Sequence, residues 1–238
     1  MVMFCKICDL TVGIPETENM IQRCQEYKVA DKGNSADITI RADLYKLDSW
    51  PNLSENDAIY MESCFQFYKA ILDFNGMMLH ASAIEYNGKA YLFSGPSGMG
   101  KSTHTRLWQS LYGDAVQVFN DDKPALRRLD DGWFAYGTPW CGKDGINQNK
   151  KVPLGGICFL KRGENDKIRR LDKKEAMQNV LWQTTRKLKD INKMTALLTL
   201  VDKLVREVPV FELECTKEQS AAVLSSKTMV AAAQEENL

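Results

Sequence analysis

Histidine is the scarcest chemistry-bearing residue: only His80 and His104 occur among 238 residues. The chain has a single C-x-x-C, Cys5-Lys6-Ile7-Cys8. A tetrahedral zinc site would need two more ligands, and no second pair supplies them. Excess charge of either sign is also missing. Lys plus Arg and Asp plus Glu each number 31, which argues against nucleic acid or an anionic membrane as the main partner. No apolar run approaches the length of a bilayer span. Met1 to Leu10 is too short, and too soon interrupted by charge, to read as a secretory signal. Seven cysteines, an odd count, fit reduced and buried thiols in the cytoplasm better than a disulfide framework. Repeats and low-complexity linkers are absent. What remains is the ordinary composition of a globular α/β protein, with enough chain for one large domain or two small ones. The expected division is an N-terminal α+β region over 1–75, packed on a core over 76–238.

The chemistry concentrates in one stretch, Tyr91-Leu92-Phe93-Ser94-Gly95-Pro96-Ser97-Gly98-Met99-Gly100-Lys101-Ser102-Thr103. It reads as an apolar strand, a glycine-rich loop and the start of a helix. Gly95, Gly100, Lys101 and Ser102 fit G-x-x-x-x-G-K-[ST], the Walker A pattern of a phosphate-binding P-loop. Glycines let backbone N–H groups curl around a phosphate, and the new helix turns its positive end toward it. Ser97, Gly98, Met99 and Thr103 complete the expected cradle. Lys101 reaches the outer phosphates, and the Ser102 hydroxyl suits a magnesium ion.

Around this stretch the chain punctuates itself. Asp37 to Arg41 alternates like a strand, after a turn at Asp31 to Ser35. Ser54, with Asp57 three residues on, predicts a helix start, and Asn75-Gly76 its end. Two strand-like runs, Leu79 to Tyr86 and Lys89 to Ser94, flank Asn87-Gly88, a strong hairpin signal. Pairing Tyr86 with Lys89 sets Ala81 opposite Ser94 and brings His80 to the mouth of the loop, where a chemical and a structural role are equally open. His104, in the helix after the loop, is expected on the surface. The strand Ala115 to Phe119 ends in Asn120-Asp121-Asp122, two carboxylates suited to a metal ion and a proton acceptor. A second hairpin is expected about Asp131-Gly132 with Asp130 opposite Trp133; it returns Pro139 to Gly142 toward the acidic pair. In that loop Lys143 either steadies a phosphate or is solvated, and Lys150-Lys151 reads as an exposed pair. Val152 to Leu160 reads as a buried strand. Helical faces follow at Ala176 to Leu188 and Ile191 to Val205, then a strand over Val208 to Leu213. The last helix is expected from Thr216 to about Leu224, with a frayed tail after Val230.

The order His80, Gly95–Ser102, Asp121-Asp122 resembles the HPr kinase/phosphorylase group and the related ATP-dependent phosphoenolpyruvate carboxykinases. The resemblance covers roughly residues 77–162. The blocks Phe119-Asn120-Asp121-Asp122-Lys123-Pro124 and Gly137-Thr138-Pro139-Trp140 are also similar to uncharacterised bacterial HPr-kinase-related proteins. The resemblance implies a P-loop α/β fold: a mixed sheet with antiparallel hairpins and flanking helices. It further implies an ATP- and magnesium-dependent phosphoryl transferase. In it Lys101 holds the phosphates, Ser102 and Asp122 hold magnesium with Asp121 beside them, and Asp121 accepts the proton of an attacking hydroxyl, with His80 in the catalytic set. The Glu-Ile-Arg-Gly segment of true HPr kinases is absent, so HPr itself is not implied as substrate.

The expected partners are therefore a nucleotide and a hydroxyl acceptor, either a Ser of a peptide or protein or a small metabolite. Neither nucleic acid nor a membrane is expected, and association into a homo-oligomer stays open. The rival expectations are a nucleotide-binding regulator without transfer chemistry, a simple nucleotide hydrolase, and a module binding another phosphate compound.

Overall fold

The chain begins with a hairpin whose turn carries no glycine. Strands β1 (Val2–Ile7) and β2 (Leu10–Pro15) pair antiparallel. They turn at Cys8 and Asp9, both at positive φ (55° and 63°). A computed structural model describes residues 1–30, 35–184 and 188–235. The expected turn at 31–35 lies mostly outside the described residues. Helix α1 (Glu18–Arg23) follows, its N-cap Thr17 accepting from Met20 N. The alternation at 37–41 yields a two-residue strand, β3 (Ile38–Thr39), parallel to β2. Helix α2 (Glu55–Ala70) starts where expected, with the Ser54 hydroxyl accepting from Asp57 N. The chain leaves the following turn through Asn75 in the left-handed region, φ 54°.

The main sheet is mixed. Its strands are β4 (Gly76–Met78), β5 (Ala81–Tyr86), β6 (Lys89–Ser94), then helix α3 (Lys101–Tyr112), β7 (Val116–Asp122), β8 (Ala125–Leu129), β9 (Gly132–Tyr136) and β10 (Lys151–Arg162). There follow β11 (Lys167–Arg170), helices α4 (Lys173–Trp182) and α5 (Ile191–Glu207), β12 (Val210–Cys215) and helix α6 (Gln219–Glu235). The strands run in the order β4-β8-β9-β10-β6-β5-β7, with β12 added on β10 and β11 on β12. The long β10 joins the two halves: its first residues pair antiparallel with β9, and its later ones run parallel to β6 and β12. A bulge at Gly155 marks the change; a Cβ there would stand 3.0 Å from Tyr91 Cε1.

The β5–β6 register is the one the Asn-Gly turn predicts, Tyr86 against Lys89 and Ala81 against Ser94. The second hairpin differs. Arg128, not Asp130, faces Trp133, so the turn is Asp130-Asp131 and Gly132, at φ 134°, opens β9. A slip of two residues keeps every side chain on its expected face. The last helix also departs from expectation. It runs to Glu235, because Met229 and Ala233 are buried against the sheet-side core. On α5, Leu197, Val201 and Leu204 are buried as the period predicts, whereas Ile191 and Leu198 are exposed.

Among the described residues, three apolar clusters flank the sheet. One packs α4 and α5 on Leu92, Ile157 and their neighbours. A second packs α3 and α6 on the opposite face, around Trp108. The third joins the N-terminal strands and α2 to Trp140, with Phe67 stacked on its ring at 4.7 Å between centroids. Residues of the N-terminal region thus share one core with the loop that follows β9. All seven cysteines are free thiols, and six of them are buried.

Candidate functional site

The 95–102 turn leaves the end of β6, near the middle of the sheet. Gly95, Gly98 and Gly100 take φ values of 150°, 75° and 106°. A side chain at the last two would be strained, so glycine is needed there for the curl itself. Lys101 and Ser102 open α3. The Lys101 ammonium is nearly buried and donates to Gly95 O at 3.1 Å and Pro96 O at 3.4 Å. Burial lowers its pKa, against the opposing pull of Asp122 and Asp121.

Strand alternation separates the two carboxylates. β5 lies between β6 and β7, with Ser82 opposite Asp121 and Ala81 opposite Asp122. Asp121 turns toward α3, where Ser102 Oγ donates to its two carboxylate oxygens at 3.0 and 3.1 Å. Asp122 turns the other way. His80 Nε2 stands 2.9 Å from its Oδ1, and the Lys123 ammonium is paired with its Oδ2. Burial alone would raise the Asp122 pKa; the His80 hydrogen bond and the Lys123 charge override it and hold the group far below the usual carboxylate range. Asp122 also carries φ 118°, a conformation costing about 1–3 kcal/mol for a residue with a side chain. Its neighbours hold it there: a bridge to Cys141 and the Lys123 N–H donated to Asn120 Oδ1 at 2.9 Å.

His80 lies in the two-residue break between β4 and β5 rather than within a strand. Its backbone N–H donates to Gln183 O at 2.7 Å, and its Nδ1 lies 3.0 Å from Gln183 Oε1. Both ring nitrogens are therefore engaged, which makes His80 an anchor for Asp122. The loop after β9 closes the floor. Asn120 Nδ2 donates to Thr138 O and Trp140 O, and Gly142 N–H donates to Asp121 O. A Cβ on Gly142 would lie 3.0 Å from Asp121 O and 3.5 Å from Asp121 Oδ2. Tyr60 Oη accepts from Cys141 N at 2.8 Å and donates to Cys141 O at 2.9 Å. The Arg23 guanidinium lies over the Tyr60 ring and donates to Cys141 Sγ.

The structure thus gathers Gly95, Lys101, Ser102, Asp121, Asp122 and His80 at one end of the sheet. Lys143 stays exposed away from these contacts, and Lys150 is not a free surface lysine: it pairs with Glu85 and Gln117. His104 corrects its expectation most clearly. It is 2% exposed, with Nε2 bonded to Ser225 and its ring against Phe93. Sequence reasoning missed Lys123, Gln183, Tyr60 and Gly142 as parts of the site. Lys123 follows the acidic pair directly and was within reach of a spacing argument. Gln183, 103 positions from His80, left no local signal.

The class so defined is a mixed α/β protein with a strand–glycine turn–helix unit and, at the end of β7, an Asp-Asp pair of which one carboxylate meets the helix. The chain belongs to the family of the SynChlorMet cassette protein ScmC, which matches residues 51–220. No curated protein matches it. Among solved structures it is similar to the HPr(Ser) kinase/phosphatase from Coxiella burnetii, at 12% identity and a TM-score of 0.39. That match covers 67% of this chain and 91% of that one. Among the described residues no helix is long and apolar enough to cross a membrane.

Proposed function

We propose that this protein is a phosphoryl transferase that binds a nucleoside triphosphate, ATP in the first instance, at the 95–102 turn and passes its terminal phosphoryl group to a hydroxyl acceptor. The observation that carries this reading is the Ser102–Asp121 contact of 3.0–3.1 Å at the head of α3. A hydroxyl and a carboxylate side by side, at the end of a glycine-rich turn, are a hard-oxygen set suited to magnesium. That ion is ordinarily held by one or two carboxylates together with substrate phosphates. Gly142 packs its backbone against the Asp121 carboxylate, where a Cβ would stand 3.5 Å from Asp121 Oδ2. The chemistry magnesium supplies there is neutralisation of phosphate charge.

The residues of the chain divide the rest of the work. Backbone N–H groups of the turn and the positive end of α3 receive phosphate oxygens. The Lys101 ammonium leaves Gly95 O and Pro96 O for the outer phosphates. Geometry favours Asp121, not Asp122, as the metal partner of Ser102. Asp122, kept ionised by His80 and Lys123, accepts a hydrogen bond from the acceptor hydroxyl. It takes the proton as the hydroxyl oxygen bonds to the γ-phosphorus, the bond from that phosphorus to the β–γ bridging oxygen breaks, and the nucleoside diphosphate leaves. This exchanges the roles that sequence similarity implies for the two carboxylates. Positioning and charge complementarity then supply most of the rate.

The test is transfer from γ-labelled ATP, in the presence of magnesium, to serine peptides and small hydroxyl compounds. Asp122→Asn should lower turnover by about a hundredfold or more while nucleotide affinity changes only a few-fold. Ser102→Ala and Asp121→Asn should weaken magnesium-dependent nucleotide binding. Turnover unchanged in Asp122→Asn sinks the role given to Asp122, and absence of nucleotide binding sinks the whole reading.

A further inference from the structure

A cavity of about 160 Å³ opens on the side of the 95–102 turn away from the carboxylates. Its walls are the backbone of the turn, Met99, His104 and Leu107, and, across from them, Arg162, Cys215 and Lys217. Arg162 and Cys215 are the last residues of β10 and β12, and Lys217 lies two residues beyond β12. Ser102 and His104 are two positions apart on α3, about 200° around the helix. Ser102 therefore faces Asp121 on β7, while His104 faces α6 and the cavity. In the sheet order β7-β5-β6-β10-β12 the turn leaves the central strand. The carboxylates lie to one side of it and the cavity to the other. A triphosphate laid along the turn with its terminal phosphate at Ser102 and Asp121 carries its nucleoside end toward the cavity.

The walls suit a flat, partly polar ring. Met99 and Leu107 are apolar. Arg162 extends its guanidinium across the turn and donates to Gly98 O at 2.7 Å, leaving a planar face. The polar group of most interest is His104. Ser225 Oγ receives Trp108 Nε1–H at 2.9 Å, donates to Ala222 O at 3.2 Å, and lies 2.9 Å from His104 Nε2. A hydroxyl has one proton and two lone pairs. All three contacts are satisfied only if Nε2 carries a proton and donates it. A ring 2% exposed and packed on Phe93, with no carboxylate hydrogen-bonded to it among the described residues, carries one proton only, the one on Nε2. Nδ1 is then a bare acceptor, and it has no hydrogen-bond partner among the described residues.

We propose that this cavity receives the base of the nucleotide, an aminopurine whose N–H group donates to His104 Nδ1. The assignment rests on the phosphate-site reading above and adds the nucleoside half of the ligand. Cys215, half-buried in the cavity wall, and His104 become determinants of base affinity and choice.

Calorimetry with magnesium and four probes tests it: ATP, GTP, purine riboside triphosphate (which lacks the exocyclic amine) and inorganic tripolyphosphate. The wild-type protein should bind ATP or GTP more tightly than tripolyphosphate. It should prefer the aminopurine over purine riboside triphosphate by about three- to tenfold, the worth of one hydrogen bond. The ATP and GTP arms show whether the 6-amino or the 2-amino group is read. Cys215→Phe fills the cavity and should weaken the preferred nucleotide at least about tenfold, with tripolyphosphate affinity unchanged. His104→Phe keeps the ring but removes Nδ1, and should erase the preference over purine riboside triphosphate. If Cys215→Phe weakens both ligands alike or neither, the base lies elsewhere and the proposal fails. Wild-type binding of tripolyphosphate as tight as that of either nucleotide refutes this assignment alone. Failure of every probe to bind refutes the phosphate site, and the base site with it.

Discussion

Acidification offers a direct measure of how firmly α6 encloses His104. The imidazole is 2% exposed and burial lowers its pKa from 6.5 to about 4. The unfolded chain accepts a proton near pH 6.5, while the folded chain resists it. The group's penalty on the folded state is therefore absent well above pH 6.5 and grows as pH falls toward 4. At about 1.36 kcal/mol per pKa unit, the full loss is about 3 kcal/mol, and about 2 kcal/mol of it has developed by about pH 5. The perturbation is His104→Gln, which cannot titrate in this range. Urea unfolding of both proteins at about pH 7.5 and about pH 5 isolates the effect of His104, since every other side chain is common to the two and cancels. The wild-type advantage over the variant should shrink by about 2 kcal/mol on acidification. An advantage that stays constant, within about 0.5 kcal/mol, would falsify the claim that His104 is buried as a neutral ring.

Three further outcomes follow from the same geometry. Gly142→Ala brings a methyl group to 3.0 Å from Asp121 O; the strand must give, at about 1–3 kcal/mol, and magnesium-dependent nucleotide affinity should fall with it. A melt showing no loss, with affinity intact, removes the reason given for glycine there. Tyr60→Phe leaves the buried Cys141 N–H without its 2.8 Å partner, worth about 1–3 kcal/mol; denaturant unfolding reads it directly, and a cost near zero means the loop after β9 is held by other contacts. The Asp122 pKa is depressed in the fold, so its contribution to stability is present above its unfolded pKa of about 3.9 and drains away as pH falls below that. Asp122→Asn should therefore cost more at neutral pH than at about pH 2.5, and equal costs would contradict the His80–Lys123 clasp.

Turns and short periods were readable from the chain alone. Asn87-Gly88 specified β5–β6 and its register, since a two-residue turn with positive φ leaves the flanking strands one way to pair. Gly95 to Ser102, between an apolar strand and an amphipathic run, announced the curl and the helix after it. The hairpin Asp130-Asp131 was harder, because its glycine lies just past the turn and the pattern allows two turn positions one residue apart, hence two registers two residues apart. The turn at Cys8-Asp9 carries no glycine to mark it, so the first sheet stayed hidden.

The sequence by itself determined the strand–turn–helix unit, the chemistry of its side chains and the nearness of Asp121 and Asp122, since each depends on residues a few positions apart. Tertiary structure alone decided which carboxylate meets Ser102, that Gln183 holds the His80 ring beside Asp122, and that Ser225 of α6 buries His104. The physical reason is range. Local conformational preferences are set by adjacent residues, whereas the partner of a side chain is set by which distant surface must be buried against it.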